Sequence, residues 1–376
     1  MMKLLLSLFL LFTSLAALPA QAITIEIVNP TIELRKQAEQ GDLVAIYKYG
    51  TYLERGLPGV PPDYKAAEYW LKIAAQQGHA EAILALAELY DEGKLPEPSK
   101  GRAKELYEYA YRILIADAEK DRASAATSLG AMFFHGRGVK PDASESTKWF
   151  QRAIDLGSNR AKLAFGRLAL WNTTPGYSAQ QALQYLYEAA ESGMGGAWME
   201  IGRYYSGAFG GRVNHPRSVE AFRAAHESGS SHEGSRLYGI SFLTGFGNEQ
   251  NYEKAAKIIE GAARRGNAEA MYNMAMLYRN GKGVPRNKAW ELAWLRKASE
   301  YKIPDADYYL ALAYRDGDGV PKSKTKALEY FEKAQIKKHV LAVRDYNKLA
   351  GTDKSAVGAP PKKSEPAEEL DVIENE

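Results

Sequence analysis

The 376-residue sequence predicts an all-α fold, a right-handed α-solenoid of about eight helix–turn–helix units. Three observations carry this. A dipeptide anchor recurs at nearly constant spacing, apolar residues around each anchor follow a helical period, and a glycine falls seven residues past most anchors, where a helix must stop. The composition agrees: 45% hydrophobic and 25% charged residues exclude a wholly disordered chain and a polytopic membrane protein. A net charge of +3 is too mild to point to nucleic acid. The absence of cysteine excludes disulfide scaffolds, thiolate zinc sites, thiol nucleophiles and a lipidated N-terminal Cys.

Residues 1–22 read as a signal peptide. Lys3 precedes an apolar run from Leu4 to about Leu18, too short for a membrane span, and Ala20 and Ala22 fit small-residue cleavage before Ile23. The expected location is a bacterial periplasm, with secretion as the alternative and no integral span after cleavage.

The repeat region follows. The anchors are Tyr49-Gly50, Leu86-Ala87, Leu129-Gly130, Phe165-Gly166, Ile201-Gly202, Tyr238-Gly239, Met274-Ala275 and Leu310-Ala311, spaced by 37, 43, 36, 36, 37, 36 and 36 residues. The long spacing marks an insertion near Tyr111 to Asp121. Units are expected at about 32–77, 78–120, 121–156, 157–192, 193–228, 229–265, 266–301 and 302–337, then a terminal helix to about 350. Within each unit, apolar or small residues at anchor −4, 0, +3 and +4 make one stripe, as at Ala270, Met274, Leu277 and Tyr278. Glycines close this first helix, as in Gly136-x-Gly138-Val139, Gly281-x-Gly283-Val284 and Gly317-x-Gly319-Val320. The second helix carries Trp70, Tyr107, Trp149, Tyr185, Phe222, Ile258, Trp294 or Tyr330 about 20 residues past the anchor. The Tyr and Trp at +4 and +20 are expected in the core. A glycine generally ends the second helix too, but Asp121 and Lys302 stand in its place. From Gly351 to Glu376 the chain becomes Pro, Lys, Glu, Ala and Ser, with seven acidic residues against three lysines, and is expected to be a disordered tail.

These units resemble the Sel1-like repeat, a relative of the tetratricopeptide repeat. Units seven and eight carry the likeness best, in Ala270-Met271-Tyr272-Asn273-Met274-Ala275-Met276-Leu277-Tyr278-Arg279-Asn280-Gly281-Lys282-Gly283-Val284 and in Ala306 through Val320. Unit two departs from the pattern with Gly93-Lys94-Leu95-Pro96, and unit four has Ala169 at the aromatic site. The resemblance implies a stacked solenoid that acts as an adaptor for other proteins.

Motifs for chemistry are missing. The sequence has no H-E-x-x-H, no phosphate loop, no G-x-S-x-G and no Rossmann glycine pattern. Asp316-Gly317-Asp318-Gly319 lacks the third ligand and distal Glu of a calcium loop, and His226 and His232 straddle a helix end. No cofactor, metal or catalytic residue is expected, and the chain reads as non-enzymatic. Disulfide-stapled relatives with reported β-lactamase activity are excluded by the missing cysteine.

Binding remains. Anchor −2, +2 and +5 point nearly opposite to the core direction of the first helix, and these positions hold Tyr47, Arg167, Arg203, Arg236, Tyr272, Arg279, Tyr308 and Arg315. Arginine and tyrosine on one face suit carboxylates, sugars or a peptide backbone. Leu84, Leu163, Leu170, Ile240, Leu243 and Leu312 hold the same positions in other units, which leaves ordinary solenoid surface as the alternative. The expected function is a scaffold of the bacterial envelope that binds a protein partner. The alternatives are a factor guiding an anionic polysaccharide during export, as a periplasmic helical-repeat protein of alginate secretion does, and a secreted host-interaction factor.

Overall fold

A computed structural model describes residues 23, 25, 31–56, 62–95, 99–171, 178–208, 213–229, 231–336 and 339–351. The signal-peptide assignment at 1–22 and the disordered tail, beyond Gly351, lie outside the described residues. The described residues form eighteen α-helices and no strand.

Sixteen of the helices are eight antiparallel pairs. They are α2 (Leu43–Arg55) with α3 (Tyr64–Gln76), α4 (Ala80–Asp91) with α5 (Lys100–Ala118), α6 (Ala123–His135) with α7 (Ala143–Asp155), and α8 (Asn159–Trp171) with α9 (Ala179–Glu191). The array continues with α10 (Gly195–Tyr205) and α11 (His215–Glu227), α12 (His232–Thr244) and α13 (Tyr252–Arg264), α14 (Ala268–Asn280) and α15 (Lys288–Glu300), and α16 (Pro304–Asp316) and α17 (Lys324–Ile336). Labels α1 (Thr31–Glu39) and α18 (Val340–Ala350) belong to single helices at the two ends. Each helix packs on its own partner and on the next helix in the chain, so the pairs stack as a solenoid.

One boundary differs from the sequence reading. The first unit was expected to open at Ile32, but its first helix starts at Leu43. Thr31–Glu39 is instead a lone helix on α2, occupying the place of a preceding unit's second helix. Likewise α18 covers α17 as the first helix of a ninth unit would. The insertion in unit two is a lengthening of α5, with 19 residues where most helices have 13. Its added turns bring Leu114 and Ala118 into the core of unit three.

The second helices begin on polar N-caps. Asp63, Ser99, Asp142, Ser178, Asn214, Asn251 and Asn287 each accept a backbone N–H from the first turn with a side-chain oxygen. The core between paired helices corrects the expectation for the +20 aromatics. Tyr107 and Trp294 are buried as expected, and so is Phe222, but Trp70, Trp149, Tyr185 and Tyr330 are half-buried. Outside units two and five, a fully buried contact belongs to the next residue, Leu71, Phe150, Leu186, Ile259, Leu295 or Phe331. The buried residue presses on the anchor glycine where there is one: a Cβ on Gly130 would meet the Phe150 ring at 2.8 Å, and one on Gly202 would meet the Phe222 ring at 2.4 Å. One helical step of 100° turns the preceding aromatic toward the seam with the neighbouring unit.

First helices of consecutive units touch at α2/α4, α6/α8, α8/α10 and α10/α12, whereas second helices of consecutive units stay further apart. A stack curves toward its more closely spaced side, which makes the first helices the inner face.

Candidate functional site

All eight predicted site residues lie on first helices and so belong to this inner face. Their surroundings differ from unit to unit.

In unit one, the Tyr47 ring stacks on His79 with centroids 4.6 Å apart. His79 in turn caps α4 by accepting the Ala82 N–H. Burial raises the Tyr47 pKa, and Arg160 opposes that shift from within hydrogen-bonding reach of its hydroxyl. Arg160 lies on α8, three units further along, so the inner face is tightly curved here. Arg167, also on α8, is exposed. Partial burial, then the charges of Arg137 and Arg167, hold the His135 pKa down.

Units five to seven share one ionic cluster. Arg236 donates to Glu233 through Nη2 at 2.6 Å and Nε at 2.9 Å, and Asn267 Nδ2 adds a bond to the same carboxylate at 2.9 Å. Burial pushes the Glu233 carboxyl up, but Arg236, Asn267 and the nearby Arg203 outweigh it and hold the pKa below the usual range. Arg236 Nη1 also reaches Asn273 Oδ1 at 3.5 Å.

Units seven and eight end in an aromatic cluster. Tyr272 stacks on Tyr309 with centroids 6.1 Å apart, and the Arg279 guanidinium sits 4.5 Å from the Tyr309 ring centre. Tyr308 is only 9% exposed, donates to Asp345 Oδ2 at 3.0 Å and stacks on His339. Burial, then the Asp345 bond, pushes its hydroxyl up to about 12. Arg315 makes two 2.8 Å bonds to Asp316 and lies 3.8 Å from Asp345.

The structure therefore gathers Tyr272 and Arg279 around Tyr309, places Arg203 beside the Arg236–Glu233 pair, and keeps Tyr47 and Arg167 apart from both groups. Arg236 and Arg315 are neutralised by carboxylates, so the face is far less basic than a count of arginines suggests. Sequence reasoning missed Glu233, Tyr309 and Asp345: Glu233 lies one helical turn from Arg236, while Tyr309 and Asp345 lie one repeat, 37 residues, beyond Tyr272 and Tyr308. No group of three or more metal-ligating side chains occurs among the described residues. No described helix is long and apolar enough to cross a membrane.

A second property of the face is legible at anchor +2. Units one to five place Thr51, Glu88, Ala131, Arg167 and Arg203 there, while units six to eight place Ile240, Met276 and Leu312. At this position, though not across the whole face, residues pass from polar or small to large apolar along the array.

Comparison with known proteins agrees with this architecture. A family model described as Sel1 repeat matches residues 43–79, 80–112, 123–158, 174–194, 233–267, 268–300 and 304–334. The crystal structure of a Sel1 repeat protein from Oxalobacter formigenes superposes with a TM-score of 0.54 at 26% identity, covering 84% of this chain and 89% of that one. A protective antigen of uropathogenic Escherichia coli strains, displaying an SLR fold, gives a TM-score of 0.52 at 26% identity, covering 85% of this chain and 67% of that one. The chitin synthase regulator SKT5 of Malassezia restricta is 37% identical over 149 residues, 39% of this chain. This chain covers a tenth of that curated relative's length.

Proposed function

This chain belongs to the Sel1 repeat family, whose members commonly mediate protein–protein interactions, and from that premise we propose that it is a non-enzymatic scaffold of the bacterial envelope. It binds a protein partner on the inner face and holds it within a larger assembly. The signal-peptide pattern at 1–22 supports the location. One observation carries the choice of partner: the arginines expected to form a basic stripe are largely engaged within the chain, while the +2 positions of units six to eight are apolar. An anionic polymer needs uncompensated positive charge along its path, whereas a protein surface needs apolar area with few unpaired charges.

The test is photo-crosslinking in the native envelope from probes at Met276 and Leu312, with a control probe at Tyr69, which is exposed on α3. A discrete protein adduct from the inner probes alone, unchanged by raised salt, is the expected result. Absence of any protein adduct, or capture that disappears with salt and is replaced by polysaccharide, would overturn the reading. Failure of residues 1–22 to export a reporter would remove the envelope assignment.

A further inference from the structure

Ile25 precedes the first helix, yet it is only 5% exposed. It is buried in the apolar cluster of units six to eight, with Ile240, Met271, Met274 and Leu277, and Ile23 packs against the same cluster. Five residues separate Ile25 from Thr31, where α1 begins against unit one, so the six Cα steps reach at most about 21 Å. Ile23 and Ile25 therefore sit in the far half of the array, although α1 packs at its start. The tight curvature that brings Tyr47 near Arg160 makes the inner face the short way across.

The part of the cluster open to a segment from outside the repeats is the side facing away from the second helices. Helical geometry puts Ile240, Leu243, Met276 and Leu312 on that side, with Tyr272 and Tyr309 beside them. Of these, Ile240, Met276 and Leu312 hold anchor +2, where units one to five carry polar or small residues. The sequence Ile23-Thr24-Ile25-Glu26-Ile27 alternates aliphatic and polar residues, the pattern of an extended strand with one apolar edge.

We infer that the inner face of units six to eight is a docking groove for an extended protein segment presenting aliphatic side chains at alternate positions, and that Ile23 and Ile25 occupy it in cis. This rests on the protein-binding reading above and adds the chemistry of the partner. A tethered occupant acts at a local concentration in the millimolar range, so a partner segment binds weakly until the chain's own segment is displaced.

The test uses a fluorescent peptide of residues 23–30 and the full chain from Ile23, either wild type or carrying I23S and I25S. The doubly substituted chain is expected to bind the peptide at least about tenfold more tightly than wild type. Adding M276K should abolish that binding, as should replacing the second isoleucine of the peptide by aspartate. Equal binding to both chains, or binding to neither, overturns the inference. A second measurement removes dependence on the doubly substituted chain. A spin label on I23C in an otherwise wild-type chain should gain mobility when excess peptide is added, and unchanged mobility overturns the inference. If crosslinks from Met276 persist while the peptide binds neither chain, the groove falls and the scaffold stands. If the peptide binds the opened chain and no protein is captured in the envelope, the scaffold falls and the groove stands.

Discussion

A Cβ added to Gly283 would lie 2.0 Å from the carbonyl oxygen of Tyr252. Gly283 is the second glycine of the turn in unit seven, and Tyr252 is the first residue of α13 in unit six, so this glycine sits where one repeat stacks on the previous one. Gly247 meets the His215 carbonyl in the same way, one unit earlier. The second glycine of the G-x-G signature is therefore a stacking residue as well as a turn residue.

G283A should destabilise the protein by about 3 kcal/mol, combining left-handed strain with overpacking against backbone. G193A, where an added Cβ meets nothing within 4 Å and φ is +95°, should cost only about 1 kcal/mol. Urea unfolding of the two variants checks the difference. Equal losses would mean that conformation alone explains both glycines.

Lys302 has φ of 61° and occupies the left-handed position that glycine fills between most units. Lysine there bears strain that glycine does not, so K302G should stabilise by about 1 kcal/mol, visible as a raised thermal midpoint. Asp121, at φ of 56°, is a poorer test because its carboxylate also pairs with Arg152 at 3.0 Å.

Asp307 is buried, and burial raises its pKa against the opposing effects of Ser299 and Lys333. A raised carboxyl contributes fully below the unfolded pKa near ~4, and that contribution is lost as pH rises through the folded value. D307N keeps an acceptor for the Ser299 hydroxyl and removes the charge. It should be more stable than wild type at pH 7, with the gain shrinking toward pH ~4. Urea melts across that range decide it, and a gain independent of pH would refute the assignment.

Glu233 shows the opposite sign. Its pKa is depressed, so its contribution is present above ~4.3 and lost as pH falls through the folded value. R236A should cost about 1–2 kcal/mol at pH 7, a modest figure because the Glu233 side chain is 34% exposed. The deficit should close at pH values below the carboxylate range, as measured by acid titration of wild type and variant in parallel.

Much of this architecture was legible from local rules. The anchor stripe, the glycines seven residues on and the 36-residue spacing each reflect geometry inside one unit, and the pairs α6/α7, α12/α13, α14/α15 and α16/α17 lie where that spacing puts them. Even the exceptions were informative, since Asp121 and Lys302 depart from the glycine pattern and are the two non-glycine residues with positive φ among the described residues. The one-residue offset between Trp149 and Phe150 was not legible, because both are apolar and only the crossing of α6 and α7 chooses which enters the glycine notch.

The candidate face was legible as a surface and misleading as a charge. Helical projection put Arg236, Arg315 and Tyr308 on the first helices, but Glu233 and Asp316 meet the arginines from only 3 and 1 residues away, and Asp345 meets Tyr308 from one repeat further on, 37 residues. The amino-acid order settled the all-α class, the repeat and its punctuation, since these depend on contacts a few residues apart. The approach of Arg160 to Tyr47 and the seating of Ile25 among units six to eight were settled by the curvature of the stack, which sums small rotations over many units and is written in no single one of them.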